Sequence, residues 1–251
     1  MLKLIKCELL KIRSLKSLII AFIVPLFMAI IGFLNIYNGV IETTDLWDAV
    51  YNQTLLLYAA LTLPLSITII TALQWRLEYK HNNILNLCSS SIKLYEIFLS
   101  KVITTLIIVF FNILILVISL LIFAQILIPE EPFRAYILYG PLIVFLYSIP
   151  FICLQHLFAM YIKNFIGSIS IGILLSFSGF ILSQTPLGIL IPSTYISCGS
   201  FIGITNYPIA ADLSYSTYYY SYTNALILVV PILSMLIYIC GNYLFNKKDF
   251  I

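Results

Sequence analysis

Charged residues are scarce in this chain: Asp, Glu, Lys and Arg make up 9% of its 251 residues, against 62% hydrophobic. Every polar interval is too short to bury a core of its own, which excludes a separate soluble domain. A phosphate-cradling loop needs a glycine-rich turn followed by Lys, yet none of the 10 glycines precedes a Lys, so nucleotide hydrolysis is not expected of this chain. Its five cysteines form no CxxC and no His/Cys cluster with metal-ligand spacing. Neither a disulfide framework nor a metal site is therefore expected. No Asp or Glu falls within the predicted apolar spans, whereas a proton- or ion-coupled transporter holds ionisable groups at that depth for use.

What the chain has in abundance is long apolar runs. Stretches of about 18 residues or more, enough to cross a hydrocarbon core of about 30 Å, recur along its length. We place about six transmembrane spans, with approximate ends at 17–37, 54–74, 102–128, 137–161, 165–184 and 222–245. Lipid offers no partner to backbone amides, and the runs are too long and uniform for barrel strands, so the spans are helices. The fold class is an all-α polytopic membrane protein, with residues 1–251 forming a single transmembrane domain. One set of flanks holds 12 of the 13 basic residues and the other only Arg134, which puts both termini in the cytoplasm. The net charge of +3 follows from this placement and does not indicate nucleic acid.

The N-terminal stretch MLKLIKCELLKIRSLK has the basic character of a signal peptide, but the apolar run after it is too long and lacks a small-x-small cleavage site. Leu2, Ile5, Leu9 and Ile12 fall at helical spacing, so residues 1–16 read as an amphipathic helix on the inner membrane interface or as a purely topogenic basic tail. Within the spans His156, beside Gln155, is the one ionisable group placed well inside. It is either a contact on a substrate pathway or a neutral imidazole bonded to a neighbouring helix. Glu130, Glu131 and Arg134 followed by His156 loosely resemble the motifs of a membrane-embedded metalloprotease family. The spacing differs, and no second helical His completes a metal site.

The polar interval 74–101 holds about a quarter of the charged residues and is read as a cytoplasmic island between the second and third spans. After Arg76 come Glu78, Lys80, His81, Asn82 and Asn83, then Ile84, Leu85, Leu87 and Cys88 on one face of a short helix. Ser89, Ser90 and Ser91 break that helix, and the third span begins near Ser91 or Ile92, where a hydroxyl can cap free amides. A short half-apolar helix at a membrane surface gains stability by laying its apolar face in a groove. A topology-setting loop is the alternative reading of this island.

With its basic N-terminus, its island after the second span, the tiny loop between spans four and five and the long segment before the last span, the chain resembles the permease subunits of ABC-2 type ABC transporters. Among these it is similar to the six-span proteins of lantibiotic immunity and peptide-antibiotic export. The resemblance implies the ABC-2 exporter fold and a coupling region at 75–101, in which Glu78 matches the family's Glu, His81 to Cys88 its coupling helix, and Lys93 with Lys101 its basic flank. Residues His81, Asn82, Asn83, Ile84, Leu87 and Lys93 would then meet a cytosolic ABC ATPase. It also implies a second permease chain, like or unlike this one, and a cell-membrane location. ATP and Mg would be bound by the ATPase, and this chain would carry no cofactor. The sequence departs from the family in having Asn82, Asn83 and the serine triplet where Gly-Thr and Pro are common.

In the fifth span Ser168, Gly172 and Ser176 recur every four residues, with Gly179 and Ser183 extending a small-residue face that suits close helix packing. That face would pack either on a second permease chain or within this one. Pro25, Pro64, Pro141, Pro150 and Pro231 fall inside spans and favour bends. The outer segment 185–221 carries Pro186, Pro192 and then Tyr207, Tyr215, Tyr218, Tyr219 and Tyr220. The resemblance implies short re-entrant helices there, and the tyrosines are an interfacial belt or a cargo-contact surface. The expected task is expulsion of an antimicrobial peptide from the membrane, as self-immunity or antibiotic resistance. The alternatives are export of another hydrophobic drug, lipid or polysaccharide precursor, and, outside the class, a membrane hydrolase or scaffold.

Overall fold

The computed structural model describes residues 1–13, 17–38, 46–80, 93–127, 136–183, 185–200, 226, 228–241 and 243. The elements, in chain order, are α1 (Leu2–Arg13), α2 (Ser17–Tyr37), α3 (Leu46–Leu57), a π-helical turn (Tyr58–Thr62), α4 (Leu63–Tyr79), α5 (Leu94–Leu127), α6 (Tyr136–Tyr161), α7 (Phe165–Leu182), a 3₁₀ turn (Pro186–Leu190) and α8 (Pro192–Ser200). A further apolar helix, α9, covers Leu228–Gly241. Ala49–Tyr79, Tyr95–Leu127, Ile137–Tyr161 and Phe165–Leu182 are long and apolar enough to cross a membrane, and Phe22–Tyr37 and Leu228–Gly241 are shorter apolar helices. They fall on the six predicted runs. The chain is a polytopic, all-helical membrane protein.

The second predicted span, 54–74, differs from the observed element in both directions: helix begins at Leu46 and continues through α3, the π turn and α4 to Tyr79. Hydropathy falls at Gln74 and Arg76, but helix formation does not depend on it, since Gln, Arg, Leu and Glu all favour helix and their polar ends find partners. As a result Glu78, expected in an extramembrane loop, lies in the last turn of a spanning helix. The third span, expected to start near Ser91 or Ile92, is helical from Leu94, and Lys101 lies within it. The π turn has a local cause. Pro64 has no N–H to give to the carbonyl four residues back, and immediately before it the Leu63 N–H bonds the Tyr58 carbonyl five residues back.

Within the bundle α5 packs on α1, α2 and α6, while α4 packs on α6 and α7. Trp75, Tyr51, Tyr58, Phe98 and Phe151 are fully buried at the centre. Lipid gives helices no hydrophobic reason to associate, so shape and polar contacts decide their positions. Tyr58 O–H donates to the Asn112 amide oxygen, joining the π turn to α5 and satisfying a buried amide. α7 starts at an Asn164 cap whose Oδ1 accepts the Ile166 N–H at 3.0 Å. All nine residues of α8 are buried, packed against α6, α7 and the π turn.

Candidate functional site

The polar centre of the molecule lies where α1, the end of α4 and the start of α5 meet. On α1, Ile5, Glu8 and Ile12 share one face, so the only acid of this helix sits on its apolar stripe and is turned inward. Lys101 Nζ is 2.8 Å from Glu8 Oε2 and 2.8 Å from Glu78 Oε1. Lys11 Nζ is 2.8 Å from Glu8 Oε1 and 2.8 Å from Glu78 Oε1. Two carboxylates and two ammonium groups thus balance one another in charge. Lys101 is 0% exposed, Glu78 2% and Glu8 5%. Burying such charges is tolerated only when each is paired and hydrogen-bonded, and removing one leaves its partners uncompensated. Burial alone would lower the Lys11 pKa, but the hydrogen bonds to Glu78 and Glu8 together with their charges outweigh it and hold that ammonium above the ordinary lysine range.

A second set of polar contacts continues from this cluster into the bundle. Lys101 Nζ lies 5.4 Å from the centre of the Trp75 ring, a cation–π approach. The Trp75 indole N–H donates to His156 Nδ1 at 3.1 Å. An indole can only donate, so Nδ1 is the accepting nitrogen and the proton of a neutral His156 resides on Nε2, which faces Thr105 Oγ1 at 2.9 Å. Gln74 Nε2 donates to the same hydroxyl at 2.8 Å. Tyr79 O–H donates to the Met160 carbonyl, closing α4 onto the end of α6. Ion pairs and hydrogen bonds therefore fasten α1, α4, α5 and α6 together at one end of the bundle.

The structure places several of the candidate residues within the chain's own packing. Glu78 is buried, and its carboxylate is paired with Lys11 and Lys101. Ser168, Gly172, Ser176 and Gly179 are all buried against this chain itself. Gly172 lies on Thr68 and Gln155, and Gly179 on Ser193, so at these positions the face packs within this chain. His156 is buried with both ring nitrogens engaged, the arrangement of an imidazole bonded to neighbouring helices. Lys93 is exposed, with its ammonium 5.8 Å from the centre of the Tyr95 ring. His81, Asn82, Asn83, Ile84 and Leu87 lie outside the described residues, as do Tyr218, Tyr219 and the part of the outer segment beyond Ser200. Among the described residues no group of His, Cys, Asp or Glu could hold a metal ion.

Sequence reading missed Glu8 and the inward role of Lys101. A signal for Glu8 existed, because an acid between Ile5 and Ile12 on an otherwise basic amphipathic helix has no reason to lie on the apolar face unless a cation meets it there.

The sequence pattern that defines the ABC-2 family transporter protein matches residues 4–179, from α1 through most of α7. This chain belongs to the ABC-2 family of transporter proteins. It is a transmembrane component of an ABC-2 type transporter, a non-catalytic subunit of a system whose ATP is hydrolysed by a partner ATPase. ABC-2 permeases generally pair with ATPase subunits and carry no cofactor of their own. Searches of curated proteins and of solved structures gave no match to the chain. The four-charge cluster lies within the matched region, with Glu8, Lys11, Glu78 and Lys101 all between residues 4 and 179.

Proposed function

We propose that this ABC-2 permease expels an antimicrobial peptide of the lantibiotic type from the membrane to the outside, driven by a cytosolic ABC ATPase that holds ATP and Mg. One observation carries the coupling part of this reading. Both helix ends that flank the 80–93 interval, Glu78 on α4 and Lys101 on α5, are joined to each other and to α1 by buried ion pairs. A force applied to that interval therefore reaches three helices at once. Residues His81 to Leu87 and Lys93 receive the force at the ATPase surface, and the cluster passes it on. A chain without nucleotide chemistry draws work from outside, and it changes state because the motor favours one arrangement over the other. The cargo reading rests on the likeness to lantibiotic-immunity permeases and on the tyrosine-rich outer segment, which suits an amphipathic peptide better than a small ion. A second permease chain completes the transporter.

Co-purification from membranes tests the coupling. Ile84→Asp is expected to abolish recovery of the ATPase while leaving the thermal stability of the permease unchanged, whereas Glu78→Gln lowers both because it opens the cluster. Full ATPase recovery with Ile84→Asp overturns the coupling assignment. For the cargo, cells lacking the complex become sensitive to at least one lantibiotic; unchanged sensitivity across a panel of such peptides refutes peptide export.

A further inference from the structure

Three uncharged polar atoms lie without partners on the spanning helices α4, α6 and α7, which pack on one another. Thr68 Oγ1, Gln155 Oε1 and Ser168 Oγ are buried, and none has a hydrogen-bond partner among the described residues. Thr68 and Gln155 are 0% exposed and Ser168 2%. Two of the three side chains, Thr68 and Gln155, converge on Gly172. A Cβ built on Gly172 would lie 2.5 Å from Thr68 Oγ1 and 2.7 Å from Gln155 Nε2, so the two side chains end at the same point on the α7 surface. Ser168 lies one turn before Gly172 on the same face, and its carbonyl accepts from Gln155 Nε2 at 3.2 Å. The Gln155 amide is therefore oriented, with its oxygen left over.

Orphaned hydroxyl and amide oxygens are costly in hydrocarbon, where neither bulk water nor lipid relieves them. The other hydroxyls of α7 show the usual remedy, Ser176 bonding the Gly172 carbonyl at 2.7 Å and Ser170 the Ile166 carbonyl at 3.0 Å. Ser168 does not take it. Two hydroxyls that can donate or accept, and one amide oxygen that accepts, make a complementary set for a small neutral group carrying both donors and acceptors. None of the three is charged, which argues against an ion.

We infer that Thr68, Gln155 and Ser168 form a binding site for an ordered water that bridges α4, α6 and α7 beside Gly172. The water donates to Gln155 Oε1 and exchanges hydrogen bonds with the two hydroxyls, as buried waters do when they hold two to four polar partners. α7 is thereby held to the bundle through a wet contact at this level.

The test uses the full-length chain in lipid nanodiscs. A map that resolves ordered waters is expected to show a peak within hydrogen-bond distance of Thr68 Oγ1 and of Gln155 Oε1 or Ser168 Oγ. No peak, with Thr68 or Ser168 bonded directly to the Gln155 oxygen, overturns the site. Melting temperatures give an independent reading. Thr68→Val and Ser168→Ala each remove one hydroxyl while nearly preserving shape, and because both serve one water, the double variant is expected to lose little more than the worse single variant. Losses that simply add overturn a shared water.

Discussion

Lys101 is the residue on which the polar end of the molecule turns. It is fully buried and touches both Glu8 and Glu78. Lys101→Met leaves two carboxylates facing the single ammonium of Lys11, and breaking a buried set in this way costs about 3–5 kcal/mol. Adding Glu8→Gln restores the balance of one acid to one base, so the double variant is expected to recover part of the loss. Thermal melting of the two variants in nanodiscs checks this, and a double variant less stable than Lys101→Met contradicts the neutral-cluster account. How far such residues are legible in sequence depends on the kind of contact. The island around Glu78 could be read because charge is scarce elsewhere, but its partners could not, since Glu8 and Lys101 are 93 positions apart. Nothing local says that α1 folds back onto α5. The bonding of His156 was open for the same reason, because Trp75 is 81 positions away.

At the scale of elements, the fit of α7 against α4 sets the tolerances. A Cβ on Gly172 would overlap the Thr68 side chain, which is short, β-branched and buried, and has little freedom to retreat. Gly172→Ala is therefore expected to destabilise the bundle by about 1–3 kcal/mol, with Gly172→Val worse. Pairing Gly172→Ala with Thr68→Ser, which removes the obstructing methyl, recovers stability; melting curves that show no recovery refute the contact. The periodicity of Ser168, Gly172, Ser176 and Gly179 is visible in sequence, and all four are buried, but periodicity carries no address. Only the fold shows that α4, α6 and α8 pack against it. Helix ends were the least legible feature, because hydropathy marks where lipid ends and says nothing of where the helical hydrogen bonds stop. α4 runs on to Tyr79, past Arg76 and Glu78.

The whole molecule is tied by charge at the end where α1 lies. α1 contacts α5 and α2, and beyond those apolar contacts its Glu8 and Lys11 complete the ion cluster. Deleting residues 1–13 removes one acid and one base from the cluster, Glu8 and Lys11, leaving Glu78 and Lys101 as a balanced pair that faces an opened surface. The truncated chain is expected to remain in the membrane on its spanning helices, yet to melt at a lower temperature and to stimulate its ATPase less than the intact chain does. Membrane fractionation, melting and ATPase assays read these three quantities, and undiminished stimulation would show that α1 plays no part in transmission. The polytopic class and the six apolar helices were legible because composition and run length alone decide them. The closing of the first helix over the third span was not, since it rests on contacts between distant stretches of chain.

The length of α5 has a mechanical consequence. Its 34 residues form one uninterrupted rod of about 51 Å, well beyond the roughly 30 Å that hydrocarbon can cover. With no Pro along Leu94–Leu127, the rod has no built-in hinge. Tilting it by about 10° about its midpoint swings each tip by about 4 Å, in opposite directions. A nudge beside Lys93 on one side of the bilayer thus reappears, reversed in sense and undiminished in size, near Leu127 on the other.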